Sequence, residues 1–294
     1  MARLVHRSPE RNSRRPSRGR DLPLAPDDWG AVARIYDLEH PACRGLELAF
    51  WNQEARAAGG RVLELASGSG RIALALARKG HDVTGLELSA GMLARARARL
   101  ARLPPEVQQR CRWVQGDMSA FSLPGERFGL IFVGFNSFWL LRTLEQQRRC
   151  LRCVAAHLAP GGRFIIDVFP PNEDDYRDED GIAQLLPVRQ HGRRLLRVKD
   201  YRYDPTTRLA TSVVRYYEYD EYAEGEKGRR GTAGRAPRLL AQFQYALRPA
   251  EPGEMVALLA EEGFRVEETW GTYARAPLTP ASPRAIFVAV AGSR

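Results

Sequence analysis

Between residues 60 and 170 the apolar positions alternate between two rhythms. Gly60-Arg61-Val62-Leu63-Glu64-Leu65-Ala66 reads as a buried strand, and Ser67-Gly68-Ser69-Gly70 as a tight turn. Arg71 to Lys79, carrying Ile72, Leu74 and Leu76, reads as a helix stopped by Gly80. Asp82 to Leu88 is a second strand ending on Glu87. Ser89 is an N-cap for a helix whose Leu93, Ala96, Leu100 and Leu103 share one face, with arginines on the other, and Pro104-Pro105 closes it. Arg112-Trp113-Val114 is a third strand leading into Gly116-Asp117-Met118, and Phe128 to Phe135 is a nearly all-apolar fourth. Thr143 and Gln146 stand at capping-box spacing before a helix that runs through Leu151 and Leu158 to Pro160-Gly161-Gly162. Arg163 to Phe169 is the fifth strand. Strands alternating with helices of this length predict a mostly parallel sheet.

The pattern changes on both sides of this stretch. Trp29, Val32, Ile35 and Tyr36 predict a short amphipathic helix, and Arg44 to Ala57 a second one. After Pro170-Pro171, residues 183–248 carry strand-like runs at Leu185–Gln190, Leu195–Tyr203, Leu209–Tyr219 and Leu239–Leu247, which predict an antiparallel platform. Asp204-Pro205-Thr206 is a turn, and residues 223–238 read as a mobile connection. A helix at Pro252–Glu262 and strands at Phe264–Trp270 and Ala285–Ala291 restore the alternation. The reading divides the chain into a basic tail (1–26), lid helices and ligand-binding core (27–170), a β-rich insertion on the acceptor side (171–250) and a closing helix with a strand pair (251–294).

Charge and cysteine content narrow the partners. Of the formal +10, residues 1–20 supply seven arginines against the single acid Glu10, so the tail reads as a solvated, disordered extension. No aromatic residues interleave with it to favour nucleic acid. No apolar run reaches spanning length and the N-terminus lacks an export signal, so a cytoplasmic protein without membrane attachment is expected. Cys150 and Cys153 form a CxxC inside a helical pattern with no second pair, which predicts ordinary thiols and no metal. Monomer and homodimer both remain open.

The chemistry concentrates at the glycine turn. A strand, Gly-x-Gly and a helix let backbone approach a ligand where a Cβ would intrude, through Gly68 and Gly70. Glu87, 17 residues beyond Gly70, stands where a carboxylate accepts from two ribose hydroxyls. A nicotinamide or flavin domain competes, because Gly68 to Ala73 fits a loose GxGxxA. Glu64 before the turn suits an ammonium better than a pyrophosphate, and no His-Asp or Tyr-Lys pair suggests hydride transfer.

The run Val62 to Arg71 closely resembles motif I of the class I S-adenosylmethionine-dependent methyltransferases. Val83 to Ser89 with Met92-Leu93 resembles the segment that grips the ribose, Gly116-Asp117-Met118 the adenine-proximal segment, Phe128 to Asn136 the fourth strand and its loop, and Gly161–Val168 the fifth strand. The resemblance implies a Rossmann-like α/β fold, a sheet in the order 3-2-1-4-5-7-6 with the last strand antiparallel, and an antiparallel β insertion after strand five. Such an insertion resembles the lid of small-molecule N- and O-methyltransferases. The implied cofactor is S-adenosyl-L-methionine, held by Tyr36, Glu64, Ala66, Ser67, Gly68, Gly70, Arg71, Glu87, Leu88, Met92, Asp117, Met118 and Phe135.

Methyl transfer is an in-line displacement, so positioning groups are expected rather than an elaborate catalytic apparatus. Asn136, in the loop after strand four, is one candidate catalytic residue, and the resemblance implies Tyr36 as the other, since the small-molecule enzymes carry an N-terminal Tyr-Asp pair like Tyr36-Asp37 that folds over the cofactor. Phe138 and Trp139 line the acceptor or pack in the core, and Arg71 neutralises the methionine carboxylate or is solvated. Trp29 and Arg34 complete the lid. Tyr201, Tyr203, Arg215, Tyr217 and Tyr245 are candidates to face the acceptor, although half of such a set must face elsewhere. His191 is a candidate base that reads better as solvated. His40, His81 and His157 form no metal constellation.

The expected acceptor is an amine or hydroxyl of a small molecule. Asn136-Ser137-Phe138-Trp139 lacks the Pro-Pro-aromatic pattern of nucleic-acid amino-methylating enzymes, and no cysteine stands where a cytosine-C5 enzyme needs one. An RNA or protein substrate and a non-catalytic cofactor-binding module remain as alternatives.

Overall fold

The structure is a computed structural model and describes residues 29–40, 42–190, 193–219 and 237–292. The basic tail, His191 and most of the connection at 223–238 lie outside the described residues. The core strands are β1 (Val62–Leu65), β2 (Val83–Glu87), β3 (Cys111–Gln115), β4 (Phe128–Val133), β5 (Leu158–Val168), β10 (Phe264–Trp270) and β11 (Ala285–Ala291). They form one sheet in the order β10-β11-β5-β4-β1-β2-β3. β1 to β5 pair in parallel, and β11 runs antiparallel to both of its neighbours. This is the Rossmann-like 3-2-1-4-5-7-6 order, with β10 and β11 as the sixth and seventh strands.

Both faces of the sheet are covered, which is why its central strands carry apolar side chains in either direction. Leu63, Leu65, Ile131 and Val133 pack on one face with α6 (Leu144–His157) and α7 (Pro252–Glu261). Their alternates Val62, Leu130 and Phe132 pack on the other with α2 (Gly45–Ala58) and α3 (Ala73–Arg78). Phe138 and Trp139 belong to the first cluster and are fully buried, so the core-packing alternative holds for both. α6 opens with the expected capping box on Thr143 and Gln146.

The fifth strand starts five residues earlier than its pattern predicts. α6 ends at His157, whose buried ring donates to the Cys153 carbonyl and accepts from Leu123 N–H at 2.9 Å. The chain then extends through Pro160-Gly161-Gly162 instead of turning off the sheet. A Cβ on Gly162 would lie 2.9 Å from the Phe128 carbonyl oxygen, so the glycine permits this close approach to β4.

Between β5 and α7 the chain forms a separate antiparallel sheet, β6 (Glu179–Gln190), β7 (Arg193–Asp204), β8 (Leu209–Tyr219) and β9 (Arg238–Leu247). The N-terminal helix α1 (Trp29–Glu39) lies between this sheet and the core. Val32 and Ile35 pack against Leu195, Val214, Tyr216 and Phe243. Toward the core, α1 meets α4 (Ala90–Leu100) closely enough that a Cβ on Gly91 would stand 2.5 Å from Gly30 Cα. The short helix α5 (Pro105–Gln108) leads into β3. No helix among the described residues is long and apolar enough to cross a membrane.

Candidate functional site

The turn after β1 is built from left-handed backbone, with φ of +50° at Ala66, +56° at Gly68 and +77° at Gly70. The two glycines serve different ends. A Cβ on Gly68 would meet no atom within 4 Å, and the residue lines a large cavity. A Cβ on Gly70 would strike the Trp113 ring at 2.4 Å, as would one on Gly85, so these two glycines make room for an indole under the turn. Gly70, expected from sequence to serve ligand approach, does not line the cavity.

Glu87 closes β2 beside the turn. Its two carboxylate oxygens accept from Gly68 N–H and Ser89 N–H, each at 2.8 Å. Burial pushes its pKa up, and these backbone donors hold it down. Each oxygen keeps a further lone-pair direction for a diol. Glu64 stands behind the turn, not in the cavity wall. It is 4 % exposed and accepts from Ala73 N–H at 2.8 Å, which satisfies a donor at the start of α3. Burial raises its pKa to about 8 against the pull of Arg71. Ser67 is also behind the wall, its Oγ buried over Gly85.

Arg71 is not the solvated arginine that one of its two readings expects. It is 8 % exposed, donates to both Glu47 oxygens at 2.7 and 2.6 Å, and lies over the Phe135 ring at 4.8 Å. The Glu47 fork takes up the guanidinium, so Arg71 shapes the wall behind Phe135.

The cavity holds about 880 Å³ and runs from the turn to the inserted sheet. Ala66, Gly68, Glu87, Leu88, Met92, Asp117, Met118, Tyr36, Phe135 and Asn136 all line it. Asp117 uses Oδ1 to accept from Ser119 N–H at 2.7 Å. Tyr36 is held protonated by burial, its pKa raised to about 12. His40, absent from the sequence-predicted set, also lines the cavity, with its ring 4.5 Å from Tyr36 and 4.9 Å from Phe135 between centroids. Burial lowers its pKa to about 4, so the imidazole is neutral near pH 7.

Phe135 and Asn136 turn the chain at the end of β4 with φ of +55° and +73°, two successive non-glycine residues in left-handed backbone. Asp167, fully buried at the end of β5, holds them there. Its Oδ2 accepts from Phe135 N–H at 3.1 Å and from Tyr273 Oη at 2.8 Å, its carbonyl accepts from Asn136 N–H at 3.0 Å, and Arg284 donates to both carboxylate oxygens. Asn136 Oδ1 accepts from Phe169 N–H at 2.9 Å. The Asn136 carboxamide therefore uses its oxygen to hold the fold, and its amide NH2 remains as a donor toward the cavity. Asp167 lies in a strand that reads as plain core, and only its charge inside an apolar run hinted at a role.

The inserted sheet supplies the far wall. Its register sets Arg197 opposite Tyr216, Lys199 opposite Val214, Val214 opposite Phe243 and Ser212 opposite Tyr245. Arg197, Lys199, Val214, Tyr216, Phe243, Tyr245 and Leu247 line the cavity. Of the five insertion residues proposed from sequence, only Tyr245 does. Arg215 and Tyr217 fall on the opposite face, where Arg215 pairs with Asp200 at 2.5 Å. Tyr201 Oη donates to the Asp175 carbonyl and Tyr203 packs on Tyr176. Trp29 lines the cavity as expected, whereas Arg34 is exposed.

α1 is tied to both sides of the cavity by neighbouring acids. Asp37 accepts from Ser69 Oγ at 2.5 Å, Arg95 Nε at 2.6 Å and Arg99 Nη1 at 3.0 Å, all on the core. Glu39 accepts from Arg197 and, at 2.6 Å, from Tyr216 Oη on the inserted sheet. No group of three or more metal-ligating side chains occurs among the described residues.

Comparison with known proteins agrees with this geometry. Residues 62–162 match a family model described as a methyltransferase domain. Over 139 residues the chain is 33% identical to the dTDP-3-amino-3,4,6-trideoxy-alpha-D-glucopyranose N,N-dimethyltransferase of Streptomyces venezuelae, covering 47% of this chain and 53% of that protein. The chain thus spans about half the length of the curated relatives it matches. Among solved structures, the CcbJ methyltransferase of Streptomyces caelestis superposes with a TM-score of 0.70 over 90% of this chain and 98% of that one, at 24% identity. CalS10, an amino pentose methyltransferase of Micromonospora echinaspora solved with S-adenosylmethionine bound, gives 0.63 over 92% and 98% at 25% identity.

Proposed function

We propose that this chain, which belongs to the class I S-adenosylmethionine-dependent methyltransferase family, moves a methyl group to an amine or hydroxyl of a small molecule. The observation that carries the reading is one continuous cavity, with the glycine turn and Glu87 at one end and the inserted sheet at the other. A binding module of degenerate function would have its acceptor side filled by packed side chains. Here the cavity continues past the donor groups to the inserted sheet, and the whole of it, about 880 Å³, falls in the range of small-ligand sites, about 300–1,000 Å³.

The donor half has the groups an adenosyl amino acid requires. Gly68 leaves room for backbone approach, and Glu87 presents two pinned oxygens to a ribose diol. Asp117 retains Oδ2 for an exocyclic amine, while Met92, Leu88 and Met118 supply apolar cover. When bound, S-adenosylmethionine supplies an electrophilic methyl on a sulfonium. Around the transfer point the protein offers a hydroxyl that stays protonated (Tyr36), an imidazole that stays neutral (His40) and the amide NH2 of Asn136. These groups orient an acceptor and receive or donate hydrogen bonds without carrying charge. α1 and the inserted sheet wall the cavity on its acceptor side, which limits the water around the transfer point.

Incubation with methyl-labelled donor and a metabolite extract, followed by mass spectrometry, tests the reading. A labelled small amine or ether is the expected product. Label confined to RNA or protein, or a bound donor that never turns over, would sink it.

A further inference from the structure

Aromatic rings follow one another from the acceptor end of the cavity to the transfer point. On the inserted sheet, Phe243 and Tyr245 stand two apart on β9 and so share a face, with ring centroids 5.6 Å apart. Trp29, at the start of α1, packs against both, at 5.0 and 5.2 Å. The series continues from Trp29 to Tyr36 at 6.2 Å, from Tyr36 to His40 at 4.5 Å, and from His40 to Phe135 at 4.9 Å. All six rings line the cavity. Phe243 is covered, but the other five remain half-buried although they pack on one another. Rings left partly open beside a cavity gain from a ligand that covers them. The Tyr245 hydroxyl is hydrogen-bonded to Ser212, a buried neighbour on β8, which fixes the ring in place. The donor's adenine falls beside Asp117 and Met118 in the donor-site reading, away from Trp29 and Tyr245.

We infer that the methyl acceptor is built on a planar aromatic ring, which lies against Trp29 and Tyr245 and presents its amine or hydroxyl toward Tyr36 and His40. The inference rests on the small-molecule methyl-transfer reading for the reaction, whereas the preference for a ring belongs to the wall. Aromatic pairs gain over saturated carbon of the same size, because the positive edge of one ring meets the negative face of another. The wall already makes contacts of this kind: Trp29 meets Phe243 at 63° and Tyr245 at 38° between planes. Tyr36 is the next ring after Trp29 in the series, so a substituent on the bound ring comes to a hydroxyl and an imidazole. Either can hydrogen-bond an amine or hydroxyl and so orient its lone pair for in-line displacement.

Calorimetry on the full chain loaded with S-adenosylhomocysteine tests the inference with three neutral probes: 2-naphthalenemethanol, its saturated counterpart decahydro-2-naphthalenemethanol, and methyl β-glucopyranoside. The aromatic alcohol should bind about fivefold tighter than the saturated one, with the glycoside weakest. Burial alone favours the saturated alcohol, which carries more apolar surface, so its binding as tightly as the aromatic one overturns the inference. Tightest binding by the glycoside, or no uptake of the aromatic alcohol, overturns it too. Tyr245→Leu should bring the two ring probes to equal affinity and Tyr245→Phe should keep the preference, both holding S-adenosylhomocysteine affinity within about twofold. Trp29→Leu, on a different element, should also level the probes, and it keeps the test readable if Tyr245→Leu does not fold. A preference that survives in the leucine variants overturns the inference. Failure of S-adenosylhomocysteine itself to bind would instead refute the donor-site reading; the probe series is then read on unloaded protein, so the two failures are separable. In a second arm, the labelled product from a metabolite extract should show the ultraviolet absorption of an aromatic ring, and label in a product without it also overturns the inference.

Discussion

The two ends of the cavity are built by opposite means. At the donor end, backbone does most of the work: a left-handed turn, a glycine open to the cavity and a carboxylate fixed by two backbone N–H groups, one from the turn and one from the residue that caps the next helix. At the acceptor end, side chains from three antiparallel strands and one helix meet only because the strands pair in a particular register. Local construction leaves a local trace in sequence, and assembly across strands does not. The donor end should accordingly tolerate few changes to its backbone, while the acceptor wall can be rewritten one side chain at a time.

The sharpest test of this contrast is at the boundary between the ends. Asp167 holds the Phe135–Asn136 corner and balances Arg284 in a fully buried position. Asp167→Ala leaves a buried guanidinium and an N–H without their partner. It should cost about 3–5 kcal/mol of stability, measured by urea denaturation. A loss under 1 kcal/mol would mean that the corner is held by other contacts and that the two ends are less tightly joined than described.

A second test uses pH on the donor end. Glu64 keeps its proton in the fold up to about pH 8 but loses it near its ordinary value when unfolded. Between roughly pH 4.5 and 8 the folded state therefore binds more protons, and stability falls as pH rises, by on the order of 1 kcal/mol per pH unit. Glu64→Gln, which keeps an acceptor for Ala73 N–H, should flatten that slope in melting curves. His40 acts in the opposite sense. With a folded pKa of about 4, it adds stability that is lost as pH falls from 6.5 toward 4, and His40→Phe should remove that acid-side loss. An unchanged slope in Glu64→Gln would show that the carboxylate is ionised behind the turn.

The two turn glycines give a paired test, because the structure assigns them different work. Gly68→Val fills the open side of the turn and puts a β-branched residue at φ +56°. Donor affinity should fall more than about 100-fold by calorimetry. Gly70→Ala instead pushes a methyl into Trp113 and should cost about 2 kcal/mol of stability with a much smaller change in affinity. If the two variants behave alike, the division between ligand approach and packing is wrong.

What the sequence reveals follows the same division. Strands β10 and β11, the N-cap Ser89 and the Thr143–Gln146 capping box depend on neighbours in sequence, and their patterns predict them correctly. Gly68, Glu87 and Asp117 are legible because their spacing along a strand-turn-helix repeat is itself the signal. The pairing of Arg71 with Glu47 is not legible because Glu47 lies on α2, 24 residues away, where no spacing rule connects them. The acceptor wall is misread for a related reason. β7 and β8 alternate faces with a period of two, but the choice of inward face follows from how α1 packs on the sheet, so Tyr217 and Arg215 look as suitable as Tyr216 and Arg197.

The smallest expected effect concerns the helix that joins the two ends. Asp37 ties α1 to Ser69, Arg95 and Arg99 on the core, and Glu39, two residues further along and therefore on the opposite side of the helix, ties it to the inserted sheet. Arg95 is partly solvated, so Asp37→Asn should lower stability by only about 1 kcal/mol. Its kinetic effect should be larger than that figure suggests, because α1 lines the cavity through Trp29 and Tyr36, and loosening it from the core opens that side. Stopped-flow displacement of bound S-adenosylhomocysteine should show faster release from Asp37→Asn, by about fivefold, with little change in the rate of binding. The same measurement on Tyr216→Phe, which frees one oxygen of Glu39 on the acceptor side, should leave release nearly unaltered. Equal acceleration in both variants would make α1 a single cover hinged on either side, and would remove the asymmetry between the two ends.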